Sequence, residues 1–136
     1  MLFPKKTRFR KYHQKCYKTK ETKNLFLSKG KFGLKAVQNK ELNAKQLEAT
    51  RKNFLKKGNK GVKIWLNFFP HFPKTKKPLE SRMGKGKGNV DYWYFFVKTG
   101  KVLFEFDGFN QHFIQMVKKN GVKKLPFKTK LIFKNF

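Results

Sequence analysis

Val90-Asp91-Tyr92-Trp93-Tyr94-Phe95-Phe96-Val97-Lys98-Thr99-Gly100-Lys101-Val102-Leu103-Phe104-Glu105-Phe106 is the stretch that settles the fold class. Two runs rich in aromatic and β-branched residues flank Thr99-Gly100, so residues 90–98 and 102–106 read as strands turned into a hairpin. Upstream, residues 61–69 alternate cleanly. Val62, Ile64, Leu66 and Phe68 share one face while Lys63, Trp65, Asn67 and Phe69 share the other, the period of a half-buried strand. Downstream, Phe127, Thr129, Leu131 and Phe133 alternate with lysines as a final strand. Glu105 and Asp107, two apart, read as a surface pair or turn contact at a strand edge.

Between these strands Pro70, Pro73 and Pro78 hold the chain extended. Arg82-Met83-Gly84-Lys85-Gly86-Lys87-Gly88 follows, alternating long cations with glycine and carrying no apolar residue after Met83. Such a segment buries too little surface to fold on itself, and its glycines make ordering expensive. It reads as a cationic loop, fixed at its base by the neighbouring strands and free at its tip.

Toward the N-terminus a helix is signalled by Asn43 as N-cap, Gln46 at N3, and Leu42 stapled to Leu47. Ala44, Leu47, Phe54 and Leu55 supply its buried stripe, Lys45, Lys52 and Lys56 face outward, and Gly58 ends it. Short strands run through Leu25-Phe26-Leu27 and through residues 32–37, joined by a turn at Lys29-Gly30. A second helix begins near Asn110, with Phe113, Met116, Val117 and Gly121 on one face and His112 on its polar face, and stops before Pro126. Residues 1–24 hold nine cations and one acid, Glu21, with no apolar periodicity. They read as an extended basic arm with no protein core to join. The fold class is therefore α+β: a mostly antiparallel sheet with two helices, an arm at 1–24 and a single domain at 25–136.

Composition narrows the partner. The 136 residues carry 35 Lys+Arg against 7 Asp+Glu, a formal charge of +28 that opposes compaction unless an anion neutralises it. Disorder throughout is excluded by a 38% hydrophobic content with 17 Phe, which demands a core. The six apolar residues from Tyr92 to Val97 fall far short of the ~18 that span a membrane, and no signal-peptide h-region follows Met1. Only Arg8, Arg10, Arg51 and Arg82 are arginine, and Lys, Phe and Asn are abundant, all with AU-rich codons. An AT-biased genome such as an organelle's explains that lysine excess.

Catalytic and metal signatures are absent. Gly84-x-Gly86-x-Gly88 lacks the Gly-x-Gly-x-x-Gly spacing of a dinucleotide turn, and neither Ser28 nor Ser81 sits in a nucleophile elbow. His13 and Cys16 offer two ligands where a structural zinc takes four. No enzyme, metal or cofactor is expected.

Several segments resemble the universal large-subunit ribosomal protein family numbered sixteen in bacteria and ten in archaea and eukaryotes. They are Pro4-Lys5-Lys6-Thr7-Arg8-Phe9-Arg10-Lys11, Phe32-Gly33-Leu34-Lys35-Ala36, Ala44-Lys45-Gln46-Leu47-Glu48-Ala49-Thr50-Arg51, Gly61-Val62-Lys63-Ile64-Trp65, the run from Arg82 to Trp93, Gly100-Lys101-Val102-Leu103-Phe104-Glu105 and Lys124-Leu125-Pro126-Phe127-Lys128-Thr129. The run from Arg82 is the most specific, whereas residues 14–29 match weakly. Asn43 stands where the family commonly has Thr or Ser, which keeps the cap, and Lys45 replaces a usual arginine.

The resemblance implies a structural constituent of the large subunit that supports late assembly and translation. It implies contact of Lys5, Lys6, Arg8, Phe9, Arg10, Lys11, Lys35, Lys45, Arg51, Lys52 and Lys63 with large-subunit ribosomal RNA near the aminoacyl-tRNA path. Arg82, Met83, Gly84, Lys85, Gly86, Lys87 and Gly88 would then face the transfer RNAs of the aminoacyl and peptidyl sites and the peptidyl-transferase centre. Neighbouring large-subunit proteins are further expected partners. With the codon bias, the expected location is the mitochondrial matrix; a plastid or the cytoplasm of an AT-rich bacterium is the alternative.

Overall fold

A computed structural model describes residues 2–14, 19–57, 63–108, 111–117, 119 and 122–134. In chain order come β1 (Phe32–Ala36), β2 (Lys40–Asn43), α1 (Ala44–Lys57), β3 (Lys63–Leu66), β4 (Phe72–Lys76), β5 (Asn89–Val97), β6 (Val102–Asp107), α2 (Gln111–Met116), a 3₁₀ turn (Val122–Lys124) and β7 (Thr129–Phe133). The architecture is α+β. Instead of one sheet there are two, ordered β3-β6-β1-β7 and β2-β5-β4. Every pairing is antiparallel.

The expected hairpin does not form. β5 pairs with β2 and β4 in the smaller sheet, whereas β6 is an inner strand of the larger one. The turn itself exists, closed by the Lys101 N–H donating to the Lys98 carbonyl at 3.2 Å. Its next donors and acceptors are taken by other segments: Gly100 N–H donates to Ala36 O, Ala36 N–H to Lys101 O, and Glu21 N–H to Thr99 O, each at 2.9 Å. Burial explains the preference. All five residues from Val102 to Phe106 are buried, so β6 needs cover on both faces and a partner on each edge.

The proline-bearing segment is also more regular than its sequence implied. Residues 72–76 form β4, an edge strand on which Pro73 lies opposite Trp93. An edge tolerates the missing N–H. Conversely, Leu25-Phe26-Leu27 forms no strand, and among the described residues the 61–69 alternation yields ladder only at Lys63–Leu66. Ile64, Leu66 and Phe68 nevertheless pack against the core as the alternation required.

α1 begins as read. Gln46 Oε1 accepts the Asn43 N–H at 3.1 Å, and Asn43 Oδ1 accepts the Lys45 N–H at 3.2 Å. Its buried stripe is Ala44, Leu47, Thr50 and Phe54, with Leu55 left 46% exposed. Steps of three, three and four keep one face, and Leu55 lies one position past it. Thr50 fits inside because its hydroxyl donates to the Gln46 carbonyl at 2.7 Å. Phe54 drives edge-on into Phe104 and Phe106, with ring centroids 5.2 Å apart in both cases. Gly58 and Gly121, read as helix end and helix face, lie outside the described residues. α2 is short, and its Phe113 and the following Val117 join the same core.

Glu105 overturns the surface reading. It sits in β6 with 0% exposure. Its carboxylate accepts the Ser28, Lys29 and Gly30 N–H groups at 3.1, 2.7 and 2.9 Å, the Ser28 hydroxyl at 3.2 Å and the Asn67 amide at 2.6 Å. Burial pushes its pKa up, but the donors of Gly30, Asn67, Lys29 and Ser28 together outweigh this and hold it below the ordinary value near 4.5. Gly30 is obligatory in this nest, since a Cβ there would lie 2.6 Å from the Phe106 carbonyl oxygen.

Because the folded carboxyl is the stronger acid, its contribution is complete above its unfolded pKa and disappears as pH falls through the folded value. Thermal melts of the isolated chain should therefore weaken below about pH 4, within the ordinary carboxylate range. Glu105→Gln should cost about 3 kcal/mol at neutral pH and flatten that acid limb. A variant melting like the parent at pH 7 would show that the carboxylate is not the anchor.

Candidate nucleic-acid interface

The loop at residues 77–88 is built by its legs. β4 and β5 stay paired to Lys76 opposite Asn89, with a register shift between Lys74 and Thr75, and Gly88 then presses on the other leg. A Cβ at Gly88 would lie 2.5 Å from the Lys76 carbonyl oxygen and 2.9 Å from the Lys77 nitrogen. At the tip, Gly84, Lys85 and Gly86 have φ of 93°, 54° and 78°, a left-handed run that glycine makes cheap. A Cβ at Gly84 or Gly86 would meet nothing within 4 Å. Arg82, Met83, Lys85 and Lys87 are all exposed, Met83 at 99%.

The arm meets this loop. The Lys11 ammonium donates to the Lys87 carbonyl at 3.0 Å, and the Lys87 ammonium donates to the Tyr12 carbonyl. Lys77 caps the tip by donating to the Gly84 carbonyl at 2.5 Å. Two segments more than seventy residues apart thus form one cationic surface, with Lys5, Lys6, Arg8 and Arg10 continuing it as exposed side chains. Arg8 lies 5.4 Å over the Phe9 ring, which meets Tyr12 edge-on at 6.1 Å. Phe9 remains 55% exposed, so a ring face is presented among cations.

The remaining expected residues divide. Lys45, Arg51 and Lys52 are exposed on α1, with Lys52 paired to Glu48 at 3.2 Å, and Lys63 is exposed at the start of edge strand β3. That pair's hydrogen bond and charge lower the Glu48 pKa. Lys35 differs. It is half-buried in β1, and its ammonium is committed to the Leu25 carbonyl at 3.3 Å. Its position braces the 25–27 segment.

Sequence reasoning missed Lys101. It is buried, pairs with Glu21 at 3.1 Å and lies 5.6 Å over the Phe95 ring. Burial raises the Glu21 pKa, but Lys101 and the Lys23 and Thr22 amides lower it further, to a net depression. With Leu2 packed against the core, the arm is fastened near both ends to a body it was expected not to join. A lone acid in a basic arm was the available signal. Among the described residues no His/Cys/Asp/Glu group could hold a metal, and Cys16 lies outside them. No described helix is long and apolar enough to cross a membrane. Among the described residues Lys31 pairs with Asp107, Lys52 with Glu48, Lys74 with Glu41 and Lys101 with Glu21, and with 7 Asp+Glu against 35 Lys+Arg the cations far outnumber the carboxylates that could neutralise them.

Gly88→Ala should lower global stability by about 1–3 kcal/mol, because rigid backbone on the opposite leg must move. Gly84→Ala should cost less, about 1 kcal/mol, because no atom obstructs the methyl and only the left-handed φ of 93° is strained. Equal losses from both, measured by thermal denaturation, would refute a tight base with a free tip.

Residues 4–132 match the family Ribosomal protein L16p/L10e. The chain is similar to the large ribosomal subunit protein uL16 of Hyphomonas neptunium, 42% identical over 132 residues that cover 97% of this chain and 96% of the relative. The corresponding protein of Maricaulis maris is 40% identical over the same coverage. That of Leptospira biflexa is 38% identical over 99% of this chain and 98% of its own. A full-length match of this depth, on a fold whose cationic loop and arm converge, makes the chain a member of the L16p/L10e ribosomal protein family.

Proposed function

We propose that the chain is a structural constituent of the large ribosomal subunit that binds its ribosomal RNA through the joined surface of arm and loop. The observation that carries this reading is the family match over residues 4–132. The chemistry agrees with it. Exposed lysines and arginines neutralise phosphates, the four arginines add planar, paired hydrogen bonds, and exposed rings stack on unpaired bases. The protein is not an enzyme; it positions and neutralises.

The finer assignment gives the loop a second task. Arg82, Lys85 and Lys87 project from a tight base on a tip with open space, which suits reach toward transfer RNA in the aminoacyl and peptidyl sites. Lys5, Lys6, Arg8, Phe9, Arg10, Lys11, Lys45, Arg51, Lys52 and Lys63 are assigned to ribosomal RNA, and neighbouring ribosomal proteins cover other faces. Lys35 is the weakest member of the set, because its side chain is half-buried and its ammonium is turned to the Leu25 carbonyl. Residues 1–24 act as the RNA-binding arm of the domain at 25–136, and the chain supports late subunit assembly. The named relatives are bacterial, whereas the AU-rich residue usage favours a mitochondrial ribosome.

Affinity for large-subunit RNA should fall on the order of a thousand-fold between about 50 and 200 mM salt, as expected for about six to ten phosphate contacts. A flat titration would remove the electrostatic basis. Arg82→Ala, Lys85→Ala and Lys87→Ala combined should leave the fold intact and slow transfer-RNA accommodation or late subunit maturation. Normal rates for both in ribosomes carrying the triple variant would sink the loop assignment.

A further inference from the structure

Phe26 is the most exposed aromatic ring among the described residues, at 84%. Its neighbours Leu25 and Leu27 are half-buried, and Leu27 lies so close to Gly33 that a Cβ there would sit 2.6 Å from its Cδ2. An exposed ring on a loose tail would signify little. This one sits on a segment clamped from both sides. Upstream, Glu21 is held by Thr99 and Lys101, and the Asn24 carbonyl accepts the Val102 N–H at 3.4 Å. Downstream, the Ser28, Lys29 and Gly30 amides are locked into the Glu105 carboxylate. Turning Phe26 inward would break these anchors, so the fold forgoes the roughly 1.5–3 kcal/mol that burying the ring could supply.

The surroundings specify what covers it. Lys20, Lys23 and Lys29 are exposed within six residues, while Glu21, the segment's one acid, points inward to Lys101. A protein-docking anchor would sit in an apolar centre depleted of charge. An exposed ring whose sequence neighbours include exposed lysines instead matches a base whose flanking phosphates need neutralising.

We propose that Phe26 is a base-stacking anchor for an unpaired nucleotide of large-subunit ribosomal RNA, with Lys23 and Lys29 on the flanking phosphates. This contact is separate from the loop at residues 82–88 and rests on the RNA-binding reading above. Purified Phe26→Ala should bind large-subunit RNA about ten-fold more weakly, the effect of one lost stack. Its melting temperature and the slope of affinity against salt should be unchanged, and Phe26→Trp should restore binding. Lys23→Ala, by contrast, should lower that slope by about one.

Location is tested by a photoreactive benzophenone analogue of phenylalanine at position 26 of the full tagged chain, with the wild-type tagged chain as sedimentation control. An adduct to large-subunit RNA supports the proposal. An adduct to protein alone, no adduct from subunits containing the chain, or unchanged affinity of Phe26→Ala overturns it and leaves the RNA-binding reading standing. Failure of the wild-type chain itself to sediment with large subunits overturns both.

Discussion

The buried carboxylate of Glu105 is the constraint on which the rest depends. In a chain of charge +28, one acid is placed in an inner strand with no exposure, and three consecutive amides, a hydroxyl and a side-chain amide converge on it. An ionised group there would be untenable without such donors. With them it ties the entry to β1, the exit of β3 and the centre of β6 into one unit. The nest demands glycine at position 30, and the turn at 28–30 in turn fixes how the preceding segment displays its side chains.

Three further acids show the same division of labour. Glu21 holds Lys101, Glu41 holds Lys74 at 3.0 Å, and Glu48 holds Lys52. Each joins a segment to the body or steadies a helix face. Exposed pairs of this kind contribute little, but the Glu21–Lys101 pair is mostly withdrawn from water and fixes where the arm leaves the domain. With the acids committed in this way, the outward charge is nearly all of one sign. The surface is then attractive to a polyanion over several faces and repulsive to a second copy of itself.

The crossing of arm and loop gives that charge a shape. The Lys11 ammonium donates to the Lys87 carbonyl and the Lys87 ammonium to the Tyr12 carbonyl, contacts that hold geometry without consuming charge. The base closed at Gly88 limits the motion to the tip, where left-handed glycines leave Arg82 and Lys85 free to follow a surface, while Lys87 is held by the arm.

Much was legible in the residues themselves. Alternation placed Ile64, Leu66 and Phe68 inward, the capping pair Asn43 and Gln46 started α1, and glycine between cations made the loop recognisable. The Arg82-to-Trp93 run carried the family. These signals are local, because strand period, capping and turn preference depend on residues a few positions apart. Sheet partnership is not local. β5 and β6 follow each other across a turn yet join different sheets, since the Gly100 and Lys101 groups find Ala36, and β6 requires neighbours on both edges. Glu105 looked like a surface acid because its donors lie 75 to 77 residues earlier, apart from Asn67. Lys101 was missed for the same reason, since its partner Glu21 lies 80 residues away. Composition and period determined that this chain is a basic α+β protein with a cationic loop; only the folded chain decided which charges are buried and which strands meet, because those choices are made by hydrogen-bond partners that sequence distance hides.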